Sequence, residues 1–85
     1  MILGGWVFIF EKNGTMLHLE YVIWKEERYF VAQCLNIDIS SFGETRQEAL
    51  DNLNEALALY LEDNSQENVT KIEQPELVHA TISYA

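Results

Sequence analysis

Between Phe42 and Asp63 the apolar residues recur with a helical period. Ala49, Leu50, Leu53, Ala56, Leu57, Tyr60 and Leu61 are separated by gaps of one and three, which puts them on one stripe of an amphipathic helix. Thr45 and Glu48 have capping-box spacing: the hydroxyl accepts from the N3 amide and the carboxylate reaches back to the N-cap amide. Gly43 supplies a flexible lead-in, and Glu44 and Glu48 sit at the positive end of the helix dipole. The pattern predicts a helix over Arg46–Glu62.

Upstream the period changes to two. Leu17, Leu19, Tyr21 and Ile23 alternate with His18, Glu20, Val22 and Trp24, as in a half-buried strand. Lys25-Glu26-Glu27-Arg28 reads as a four-residue loop, and Tyr29–Leu35 as the second strand of a hairpin. Asp38–Phe42 is a short third strand leading into the helix. Asn64–Pro75 is a polar loop closed by the sole proline, and Leu77–Tyr84 alternates again, predicting a returning edge strand. The first sixteen residues have two readings. In one, Trp6–Phe10 is an extra edge strand, turned at Lys12-Asn13-Gly14-Thr15; in the other they are an appendage before Met16. The strand is favoured, because Trp6, Phe8 and Phe10 left in water would form an apolar patch. The expected fold is α+β: one domain over 1–85, an antiparallel sheet of three to five strands with one long helix on one face, in β-β-β-α-β order.

Composition narrows the function. An 85-residue chain holds one small core and gains from a partner. Fourteen acidic against five basic residues leave a net charge of −9, which excludes a phosphate grip on nucleic acid and suits a basic protein partner. A single cysteine cannot form an internal disulfide, which points to a reducing, cytoplasmic setting. The apolar run Met1–Phe10 is broken by Gly4 and Gly5, lacks a basic start, and falls short of the roughly 20 residues that span a bilayer. Neither export nor membrane insertion is expected, so the Asn-x-Thr triplets at Asn13 and Asn68 read as chance matches.

Candidate chemistry is sparse. The chain contains no Gly-rich phosphate loop, metal-ligand cluster or nucleophile elbow. His18 and His79 stand alone on separate strands. Adding Glu20 makes only a weak zinc trio, and two partly exposed histidines are the plainer reading. Cys34 reads as a small core residue. Asp38 lacks the convergent acids a two-metal nuclease needs, and the other acids read as solvated surface. Glu62-Asp63, at the negative end of the helix, reads as a frayed, solvated terminus. No catalytic residue, metal or cofactor is expected.

A single helix covers one face of a sheet, so the other is left for something else. That face would show His18, Glu20, Val22 and Trp24 beside Tyr29, Val31 and Gln33, with Trp24 and Tyr29 as partner-binding anchors. The competing reading is that the N-terminal segment folds over it.

The ordered string LEYVIWKEERYFVAQCLNIDISSFGETRQEALDNLNEALALYLED, with Gly43-Glu44-Thr45 followed by Glu48-Ala49-Leu50, Leu53 and Glu55-Ala56, resembles the N-terminal domain of HicB-type antitoxins over Leu19–Asp63. The resemblance implies a β-β-β-α-β fold like a degenerate ribonuclease H half without its acids. It also implies a small basic toxin partner, a HicA-like mRNA interferase whose RNA-binding face is masked. The chain departs from the family in having Leu35-Asn36-Ile37-Asp38-Ile39-Ser40 where prolines are usual. No DNA-binding segment follows the last strand, so direct DNA binding is not expected. A homo-oligomer, dimer or higher, is expected as well; the alternatives for function are a stand-alone homo-oligomer with another partner or none and, more remotely, a metal-dependent nuclease of ribonuclease H-like type.

Overall fold

The computed structural model describes residues 6–10, 16–63 and 69–85, with side chains from Leu17 onward. Four strands, β1 (Trp6–Phe10), β2 (Met16–Glu26), β3 (Tyr29–Cys34) and β4 (Ser40–Gly43), precede one helix, α1 (Arg46–Asp63). The strands form an antiparallel meander in the order β1-β2-β3-β4, so the α+β architecture is the one the periodicities predict. The expected turn at Lys12–Thr15, the start of the loop at Asn64 and the triplet residues Asn13 and Asn68 lie outside the described residues.

β2 is long enough to serve two neighbours in turn. Its first half pairs with β1, Trp6 opposite Glu20 and Phe10 opposite Met16. Its second half pairs with β3, Tyr21 opposite Cys34 and Glu26 opposite Tyr29. The β2–β3 loop is therefore the two residues Glu27 and Arg28 rather than the expected four. The ladder keeps its hydrogen bonds as far as Glu26, and Glu27 absorbs the reversal with φ at 55°, in the left-handed region.

α1 buries Ala49, Leu50, Leu53, Leu57 and Leu61 against Leu19, Tyr21, Ala32, Cys34 and Ile37. Its N-terminus is fixed at two points. The Glu48 amide donates to Thr45 Oγ1 at 3.0 Å. The Glu48 carboxylate accepts from the Glu44 amide at 2.7 Å, one residue before the expected N-cap amide. Gly43 is buried, and a Cβ there would lie 2.7 Å from the Ala49 nitrogen. Its role is close packing of β4 on the helix start, not the flexible lead-in expected.

One predicted element is missing. Leu77–Tyr84 forms no strand, and every residue from Glu73 to Ala85 is exposed. The outer edge of β2, where a returning strand could pair, is taken by β1 along Met16–Glu20. The order is thus β-β-β-β-α, not one closed by a β-strand. No described helix is long and apolar enough to cross a membrane.

Candidate protein-binding face

Alternation along β2, β3 and β4 sends one set of side chains under α1 and the next to the opposite face. Register then lines the second set up across the strands: Trp24 opposite Val31, and Val31 opposite Phe42. Val22, Trp24 and Tyr29 are about 40% exposed and Phe42 62%. The rings are ordered. Trp24 Nε1 donates to Glu26 Oε1 at 2.9 Å, and Tyr29 meets Phe42 edge to face at 5.8 Å between centroids, a favourable aromatic geometry.

Acids border this aromatic floor. A shallow groove of about 510 Å³ runs over Tyr29, Val31, Ser40, Ser41 and Phe42 to Glu26. A second, of about 310 Å³, continues past Gly43 to Glu44, Glu48 and Asn52. An apolar centre with a charged rim is how protein interfaces are built, and three carboxylates around two rings favour cationic side chains.

The predicted site residues therefore divide. Trp24, Tyr29, Val22 and Val31 come together as expected. Gln33 shares their face but its side chain is engaged with neighbouring backbone, donating to Cys34 O at 2.8 Å. His18 and Glu20 lie at the other end of β2, beside the segment that follows the helix. Glu20 is only 9% exposed, with Oε1 buried and without a hydrogen-bond partner among the described residues. It borders an open pocket of about 770 Å³ with His18, Lys71, Ile72, Glu73, Gln74 and Pro75, apart from the Trp24–Phe42 row. The expectation of an exposed Glu20 is corrected by that burial.

Phe42 is the member of the face that sequence reasoning missed. The signal was present: a buried Gly43 under the helix forces its neighbour to the other side. Asn36 was also missed as a tether. Its Oδ1 accepts from the Glu20 amide at 2.7 Å and its Nδ2 donates to Thr70 O at 2.9 Å. Its own carbonyl accepts from the Thr70 amide at 2.8 Å. Asn36 thus stands in for a ladder partner where β3 ends and ties the chain after α1 to the sheet.

The remaining candidates are structural. Cys34 is 1% exposed, and burial pushes its thiol up from the ordinary range, which disfavours the reactive thiolate. Tyr21 donates to Asn54 Oδ1 at 2.6 Å; burial raises its hydroxyl pKa strongly, and the nearby Cys34 adds to the shift. His79 lies in the exposed segment and not on a strand beside His18. No group of three or more His, Cys, Asp or Glu among the described residues could hold a metal ion.

Residues 11–82, well over half of the chain, match the DUF7387 family, a family of unknown function. The chain belongs to that family. No curated protein and no solved structure matches it. Membership in DUF7387 carries no activity with it, so function rests on the chemistry of the face.

Proposed function

We propose that this chain is a non-enzymatic protein-binding module of the HicB-like type. Its open sheet face receives a small basic protein, a HicA-like mRNA interferase, and masks that protein's RNA-binding surface. The observation that carries the reading is the row Trp24–Val31–Phe42 with Tyr29, half open to water and rimmed by Glu26, Glu44 and Glu48. A net charge of −9 speeds encounter with a cationic partner, and burial of the rings supplies the affinity. The resemblance to HicB-type antitoxins over Leu19–Asp63 supports the choice of partner.

RNA cleavage by a HicA-like interferase, measured with increasing amounts of this chain, tests the proposal. Cleavage is expected to stop near stoichiometry. Trp24→Ala is expected to weaken inhibition by about 2 kcal/mol, the scale of an interface anchor, with an unchanged helical circular dichroism signal. Cleavage that proceeds equally with and without the chain rejects the toxin reading; inhibition untouched by Trp24→Ala rejects the face.

A further inference from the structure

The segment after Pro75 is an apolar strand sequence without a sheet. Val78, Ala80, Ile82 and Tyr84 alternate with His79, Thr81 and Ser83, the pattern and β-branched composition of a half-buried strand. Yet Leu77 is 87% exposed, Val78 70%, Ile82 78% and Tyr84 92%. The molecule is drawn out to 51 Å in one direction against 28 and 25 Å in the others. Between Leu77 and Tyr84 there is no acidic or basic residue other than His79, although the chain as a whole is strongly acidic.

At the far side of the sheet is an edge without a strand. β4 is the last strand in the order. Because the Cys34 amide donates to Ile39 O, antiparallel alternation turns the amides and carbonyls of Ser40 and Phe42 away from β3. Asn52 Nδ2 takes Phe42 O at 2.9 Å; the Ser40 amide and carbonyl and the Phe42 amide are the other groups directed outward from that edge. The arm starts on the opposite side, where Thr70 is bound to Asn36 and residues 71–75 border His18 and Glu20.

We infer that the C-terminal arm, Leu77–Tyr84, adds as a fifth strand to β4 of a second copy, and that two copies exchange arms reciprocally. Each copy offers an arm outside the sheet and, at β4, an outermost strand, so a two-fold pair satisfies both. The arm is the stretch that can approach an acidic molecule without adding like charge. The inference does not depend on the toxin reading, and its test requires no toxin.

Sedimentation velocity of the full chain decides it, using Ile82→Asp on the arm and Phe42→Asp on the edge, both at exposed positions. The wild type is expected to sediment as a dimer, and each substitution to raise the dimer dissociation constant at least about tenfold. A mixture of the two variants, in which one intact arm meets one intact edge, is expected to associate more tightly than either alone. Trp24→Ala, two strands away from the edge, is expected to leave the dimer in place. A monomeric wild type overturns the inference, as does a dimer indifferent to both aspartates. Failure of the mixture to recover association overturns it too, and so does a dimer that Trp24→Ala dissociates as strongly, since that would mean pairing through the face.

Discussion

The two faces of the sheet are made from the same strands and differ by one residue of phase. Under α1, Leu19, Ala32 and Cys34 are 0–1% exposed. One position along each strand, Val22, Trp24 and Tyr29 are about 40% exposed, although their side chains are as apolar or larger. Hydrophobicity alone therefore does not decide burial here. A covering layer does, and this chain has enough amphipathic helix for one side. The large rings stand on the side that no described element covers.

The sharpest break of that contrast is a matched pair of truncations. Leu53→Ala, at a fully buried helix position, is expected to cost about 2–5 kcal/mol by urea unfolding. Trp24→Ala removes more atoms and is expected to change stability far less, its effect falling on inhibition of the interferase instead. Equal losses would mean that the open face already belongs to the core.

Gly43→Ala comes next. The added Cβ meets the backbone nitrogen of Ala49, which cannot swing aside as a side chain can, so a loss of roughly 1–3 kcal/mol is expected from overpacking. An unchanged unfolding midpoint would show that α1 can slide on β4. The smallest effect is a gain. Glu27→Gly relieves a left-handed residue at φ 55°, and thermal unfolding should show about 0.5–1 kcal/mol of stabilisation.

The covered side was legible in the sequence almost residue by residue. The helical stripe from Ala49 to Leu61 and the odd positions of β2 are local periodic signals, and each is the pattern its own element needs to bury a face. The open side was legible only in part. Trp24, Tyr29, Val22 and Val31 follow from the same alternation, but Phe42 required knowing that Gly43 packs on the helix start. Glu20 was misplaced for a related reason: period two puts it beside Val22 and Trp24, and only the chain crossing at Asn36 and Thr70 closes that end. Leu77–Tyr84 shows the limit of local reading. Its alternation is that of a strand, yet a strand also needs a free edge, and β1 already holds the outer edge of β2 along Met16–Glu20.

Local chemistry by itself determined which segments suit helix or strand, where the helix starts, which stripe is apolar, and that the molecule is acidic. Those properties depend on neighbours within a few residues or on a sum over the chain. Tertiary structure alone decided which edges and faces remain free: which strand claims β2, what lies over Glu20, and where the C-terminal arm is left. Those outcomes arise from competition between distant segments for the same hydrogen bonds and the same apolar surface, and no window along the sequence contains both competitors.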